Sequence, residues 1–402
     1  MIISRRSQLG TAAAVAVLLA LPLAGCSGSS LDSDEPGTSN DGLVIGVVVP
    51  KSGPYQPIGQ DMLKGWTTYL DEHGGKLGGH PVRVVEADEG DGGPTARAAA
   101  DQLITAEHVD AIVGVANADA VTNIAGPATS AHVPFIGTGG RPSTLQDLTY
   151  TWHTSFASTD YGKAAGPYVR TAVDGPVYVI GPDYQGGKDQ IGGFVSAFTA
   201  AGGKLANPGG QPTYTPWPGD GNFGPWLAKI KESGAKAVYA FYAGAPAVSF
   251  VKQYAQFGVG VPVYAPAFLT EGSALTAQGA AATGITTIAT YDPTLDSPGN
   301  AAWVEAYKAK HGGAAPTVYV ETMYAAGAVL DKAVAAAGTR VTSETINTAI
   351  GKVGDVTSPR GTWKLSSTTH TPVQRWCVRR VQAAGAGVAN TVITQNLATV
   401  GG

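Results

Sequence analysis

Leu43-Val44-Ile45-Gly46-Val47-Val48-Val49 is an unbroken apolar run. A strand with one wetted face alternates apolar and polar residues, so a run without alternation predicts a strand buried on both faces, as in a parallel sheet covered by helices. The next segments fit that reading. Residues 61–73 place Met62, Trp66 and Leu70 at helical spacing, and Gly74-Gly75 suits a helix end. Residues 82–87 read as a second strand, and residues 95–107 as an Ala-rich helix with Leu103 and Ile104 on its apolar face. Residues 111–114, a helix from about Ala118, and residues 134–137 extend the pattern. A second series begins after Trp152-His153-Thr154, with helices at 160–173, 188–201, 223–233 and 247–257 and strands at 177–181, 237–242, 261–264 and 285–289. Helices at 301–311 and 317–337 follow, and residues 361–393 turn to β-rich hairpins. The order predicts an α/β fold of two wound units, with late segments returning to each.

Upstream of Leu43 the composition changes. Residues 27–42 are almost entirely small or polar, which predicts a flexible tether rather than a packed element. Before them, Arg5 and Arg6 precede a short apolar run at 12–21, the layout of an export signal. Leu23-Ala24-Gly25-Cys26 resembles the lipobox of bacterial lipoproteins, which implies lipidation of Cys26 and anchoring at the outer face of the cell membrane. Ser4-Arg5-Arg6-Ser7-Gln8-Leu9 partly resembles a twin-arginine motif, so the export route stays open. Without the two arginines the formal charge moves from −4 to −6, and a mildly acidic body with no basic cluster has no electrostatic footprint for nucleic acid. Cys26 and Cys377 are the only cysteines; an acylated Cys26 leaves Cys377, in a strand-like stretch, as a buried structural thiol.

Catalytic patterns are missing. There is no G-x-S-x-G elbow, no H-E-x-x-H and no cysteine pair for zinc, so neither a metal nor a cofactor is expected. Residues 181–189 end in Gly187-Lys188-Asp189, where a phosphate loop needs Ser or Thr after its lysine. Gly137-Thr138-Gly139-Gly140 runs into Arg141-Pro142 rather than into a helix, unlike a dinucleotide fingerprint. The chain reads as a binder, not an enzyme.

Ile45-Gly46-Val47-Val48-Val49-Pro50-Lys51-Ser52-Gly53-Pro54, with Gly59 and Gly65 behind it, resembles the branched-chain amino-acid-binding (Leu/Ile/Val-binding) family of type I periplasmic substrate-binding proteins of ABC transporters. Leu77-Gly78-Gly79-His80-Pro81-Val82, Asp88 with Pro94, Val133-Pro134-Phe135-Ile136 and Tyr324-Ala325-Ala326 match the family in order. The resemblance implies a periplasmic-binding-protein type I fold: two Rossmann-like lobes with parallel sheets, joined by three hinge crossings near 153–155, 287–291 and 358–362. It divides the chain into a signal peptide at 1–25, a lipidated cysteine and tether at 26–42, a first lobe at 43–155 plus 290–358, and a second at 156–289 plus 359–402. The implied function is an extracytoplasmic solute-binding lipoprotein that closes on a small organic ligand and delivers it to a permease and ATPase as a monomer. The alternative within the same fold is a sensory binding protein that presents its ligand to a membrane receptor.

Ligands of such folds sit outside the carboxyl ends of the strands, where loops and helix N-termini converge. That rule and the resemblance together select Tyr55, Asn117, Ala118, Gly139, Gly140, Arg141, Tyr184, Tyr242 and Phe268 as ligand-binding candidates. Asn117 reads equally as a helix cap, and Arg141, in a loop before Pro142, equally as a solvated residue. Where amino-acid binders of the family hold the α-carboxylate with a hydroxyl, this chain has Ala118. Where they place an acid for the ammonium, near Ala267, and where a tyrosine covers the ligand, near Gly186, this chain has small residues. A second hydroxyl position, near Arg141, has become a cation. These departures imply a bulkier, less zwitterionic ligand such as an aromatic acid. Arg141 would meet its carboxylate, and Tyr55, Tyr184, Tyr242 and Phe268 would wall its ring. Asp119, at the same helix start as Ala118, counts against an anion if it faces the cleft.

Overall fold

The computed structural model describes residues 42–401. The export segment, Cys26 and almost the whole tether lie outside the described residues.

The strand Leu43–Val49 occupies the middle of a six-stranded sheet, between His80–Asp88 and Ala111–Gly114, with Phe135–Gly137 and Thr151–His153 beyond. All these pairings are parallel; only the short Lys76–Leu77 edge runs antiparallel. Both faces of Leu43–Val49 are covered, as its sequence demands. Val47 and Val49 pack into one apolar cluster and Val48 into another, all fully buried. Each such side chain contributes about 1.5–3 kcal/mol.

The second sheet has a parallel half, Thr213–Thr215, Val177–Pro182, Ala237–Ala240, Val263–Pro266 and Thr286–Ala289. It continues antiparallel into Pro372–Ala384, which pairs Gly387–Val400 along its length and Gly361–Leu365 at its start.

Small residues set the helix spacing. Helix Gln56–Glu72 crosses Val318–Ala336 so closely that a Cβ on Gly65 would stand 2.2 Å from the Val320 carbonyl oxygen. In the second lobe, a Cβ on Gly193 would lie 2.3 Å from the Thr159 carbonyl oxygen. The helices Asp160–Ala172 and Gln185–Ala200 therefore touch through backbone.

Several helices begin before the sequence pattern shows them: Gln56, Gln185 and Gly244 open helices whose apolar periodicity starts a turn later. Those first turns face the cleft, where burial does not impose a periodic stripe. The crossings expected near 153–155 and 287–291 lie where the chain leaves Thr151–His153 and Thr286–Ala289. Residues 358–362 are different. They form the turn of the hairpin Asp355–Ser358 with Gly361–Leu365. The return passage is made instead by Pro372–Ala384, whose Val373 pairs with Lys364 while Cys377 pairs with Ala289.

Two buried arginines brace this region. Arg360 reaches Glu321 at 3.2 Å and the Thr154 carbonyl at 2.7 Å, and its guanidinium lies 4.3 Å from the Trp363 ring centre. Arg379 reaches Glu271 at 2.6 Å and Asp292 at 3.5 Å. Among the described residues no helix is long and apolar enough to cross a membrane.

Candidate functional site

The cleft between the lobes holds about 660 Å³ of empty space when the open solvent at its mouth is counted. Its first-lobe wall is built at strand ends and helix starts: Tyr55, Ala116, Ala118, Thr138, Gly139 and Gly140, with Val318, Tyr319 and Thr322 from the returning helix. The second lobe supplies Phe156, Ser158, Tyr161, Tyr184, Gln190, Phe241 and Phe268. Aromatic rings dominate. Phe156 meets Tyr161 edge to face at 4.8 Å, and Phe268 lies 4.8 Å from Tyr161 and 5.6 Å from Phe156.

The lobes are in contact across the cleft. The Tyr55 and Tyr184 hydroxyls are 3.0 Å apart, the Ala245 N–H donates to the Pro54 carbonyl at 3.2 Å, and Trp217 packs on both tyrosines at about 5 Å. A Cβ on Gly186 would touch the Tyr184 ring and come within 3.1 Å of the Ala118 methyl group. Burial raises the Tyr55 and Tyr184 hydroxyls well above the usual phenol range, so both remain neutral hydrogen-bonding groups.

Six of the nine ligand-binding candidates line this cleft: Tyr55, Ala118, Gly139, Gly140, Tyr184 and Phe268. The other three do not. Asn117 is fully buried and caps its helix, accepting from the Asp119 N–H at 2.8 Å while donating to the Asp91 carbonyl at 3.0 Å. Tyr242 packs on Phe223 and Phe250 on the other side of its sheet and bonds Thr215 at 3.2 Å. The reason is strand alternation: Tyr239, Phe241 and Ala243 turn to the cleft side, and Val238, Ala240 and Tyr242 turn away. Phe241 takes the place expected of Tyr242. Arg141 is absent from the wall and lies within the fields of Asp160 and Asp189, half-buried. Burial lowers its pKa, and those two carboxylates counter the effect.

Among the described residues no charged side chain lines the cleft. Glu271, the carboxylate nearest Ala267 in sequence, is engaged by Arg379 and by the Val318 N–H at 2.9 Å. Asp119 turns toward the facing helix, where burial raises its pKa and the Gln185 backbone and Lys188 offset only part of that rise. Beneath the helix start, Glu89 accepts from the Ala116 and Asn117 N–H groups at 2.7 and 3.0 Å, and burial pushes its carboxyl up to about 8. That leaves the N–H of Ala118, first in its helix, and the N–H of Gly139 with no acceptor among the described residues. A Cβ on Gly139 would stand 2.5 Å from the Ala116 carbonyl oxygen, so only glycine lets these two loops meet.

Sequence reading missed Phe156, Ser158, Tyr161, Gln190 and Tyr319. Tyr319 had a readable signal, since Thr317 caps its helix at the cleft. Ser158 and Gln190 had none, because only the contact of two helices brings them together.

The periplasmic binding protein family model matches residues 42–386. A Leu/Ile/Val-binding protein homolog from Brucella melitensis is 32% identical over 277 residues, 66% of this chain and 68% of that protein. A solute-binding protein of an R. palustris ABC transporter, solved in complex with benzoate, has a TM-score of 0.81 and 29% identity, covering 90% of this chain and 98% of that one. A second from R. palustris, solved with 4-hydroxybenzoate, has a TM-score of 0.78 and 28% identity, covering 88% and 96%. Such relatives bind solutes for transporters and are not enzymes. The chain belongs to the periplasmic binding protein family, as a solute-binding protein of the branched-chain amino-acid ABC-transporter type with the type I fold.

Proposed function

We propose that this protein captures an aromatic monocarboxylate outside the cytoplasmic membrane and presents it to an ABC permease and its ATPase. One observation carries the reading: the cleft wall holds many aromatic rings and no carboxylate. An α-amino acid would bury its ammonium there without a counter-charge, at a cost of several kcal/mol. An aromatic acid needs only ring contacts and hydrogen-bond donors for its anion. The Ala118 and Gly139 N–H groups at a helix start supply those donors, aided by the helix dipole. The similar benzoate and 4-hydroxybenzoate binders support the same ligand class. Closure over the ring would follow from the ligand binding the closed arrangement better than the open one. Within this proposal Cys26 is a lipid anchor, residues 27–42 are its tether, and the body works as a monomer.

A thermal-shift panel tests it, with branched-chain amino acids, amides, aromatic acids and short aliphatic acids. A ligand at 100 times its Kd adds about 2.7 kcal/mol of stability, so benzoate should raise the melting temperature by several degrees. A rise with leucine or valine and none with any aromatic acid would overturn the reading.

A further inference from the structure

Most polar side chains in the cleft wall are already engaged. The Tyr55 and Tyr184 hydroxyls hold each other, Thr138 donates to the Val115 carbonyl at 3.2 Å, and Thr322 to the Val318 carbonyl at 2.7 Å. Two second-lobe groups are not: Ser158 Oγ and Gln190 Oε1 are buried and have no partner among the described residues. Their side chains are 1% and 2% exposed. The helix crossing brings them to one place. A Cβ on Gly193 would stand 2.3 Å from the Thr159 carbonyl oxygen and one on Gly162 2.7 Å from that of Gln190, so Ser158 is delivered alongside the second turn of Gln185–Ala200.

A buried donor or acceptor without a partner is costly, and a native protein retains one where something else satisfies it. We propose that Ser158 and Gln190 form a specificity subsite for a hydroxyl group on the ligand's ring. This rests on the aromatic-acid reading above. A phenol suits the pair because it is both donor and acceptor: its O–H donates to Gln190 Oε1 and its oxygen accepts from Ser158 Oγ–H. A second carboxylate is a poorer occupant. An ionised carboxylate only accepts, so it would leave Gln190 Oε1 without a donor.

The test is titration calorimetry of the wild-type protein with benzoate, 4-hydroxybenzoate and terephthalate, repeated on Gln190→Leu and Ser158→Ala. The expected result is 4-hydroxybenzoate binding tenfold or more tighter than benzoate, with terephthalate weaker than both. Each variant should lose most of that preference while still binding benzoate. Equal or tighter binding of benzoate or terephthalate by the wild type would overturn the subsite and leave the aromatic-acid reading standing. Binding of none of the three would overturn both. Ser158→Ala removes a single oxygen and leaves the fold intact, so an unchanged preference in that variant also counts against the subsite.

Discussion

Glu321→Gln isolates the energetics of the hinge. Glu321 is fully buried, accepts from the Ser358 hydroxyl at 2.6 Å and pairs with Arg360 at 3.2 Å. Arg360 Nε has no partner among the described residues, so the guanidinium is already incompletely satisfied. Removing its counter-charge strands a buried cation, which costs about 3–5 kcal/mol. For a chain of this size that is a fall in melting temperature of about 4–6 °C. Burial disfavours the charged form of both partners, raising the Glu321 carboxyl and lowering Arg360 despite their attraction. A double replacement, Glu321→Met with Arg360→Met, should therefore return to within about 2 kcal/mol of wild type, the Thr154 carbonyl being the main group left unpaired. Arg379 is the contrast. Two acids hold it charged, so Arg379→Met leaves Glu271 and Asp292 facing each other and should be worse than Glu321→Gln. Urea denaturation of the singles and the double gives the coupling directly. Loss of under 1 kcal/mol in Glu321→Gln, or additivity of the two replacements, would refute this account of the pair.

Two buried titratable groups give opposite pH slopes. His153 is fully buried with neither ring nitrogen bonded among the described residues, and burial, then Arg141, holds its pKa well below the ordinary 6.5. The unfolded chain binds that proton and the folded one does not, so this group's contribution is full above pH 6.5 and is lost as pH falls below it. Glu89, pushed from 4.5 up to about 8, keeps its proton in the folded state, so its contribution falls as pH rises from 4.5 to about 8. His153→Phe should thus gain stability relative to wild type at pH 5 compared with pH 8; a pH-independent difference in melting temperature would refute the assignment. Tyr55→Phe loses the 3.0 Å bond that joins the lobes, and ligand should bind about 2- to 10-fold more weakly by calorimetry; unchanged affinity would show that the bond is irrelevant to closure. Burial pushes the Cys377 thiol up to about 12, so in a Cys26→Ser protein a thiol reagent should label nothing until denaturant is added; labelling of the native protein would show that the thiol is reachable.

The fold was legible where burial leaves a pattern. The apolar run Leu43–Val49 demanded helices on both sides, and the sheet centre is where it lies. The cleft was legible only as a set of loops at strand ends, which captured Ala118, Gly139 and Gly140. Choosing side chains within those loops needed the phase of each strand. One residue of phase separates Phe241, in the cleft, from Tyr242, behind it. Arg141 was an attractive partner for an anion by charge alone, but it lies off the cleft wall, half-buried within the fields of Asp160 and Asp189. The hinge pairs were invisible for the same reason: Glu321 meets Arg360 and Glu271 meets Arg379 only after the chain has returned between lobes. The crossing near 358–362 rested on the resemblance alone, and there the chain turns back in a hairpin.

The central claim is that an aromatic ring with a single carboxylate fills a cleft whose described wall offers no carboxylate to an ammonium. Calorimetric titration of the tether-free body with benzoate and, separately, with leucine tests it most directly. The account predicts saturable benzoate binding at one site per chain and no heat from leucine beyond dilution. Tight leucine binding with no response to benzoate would contradict it.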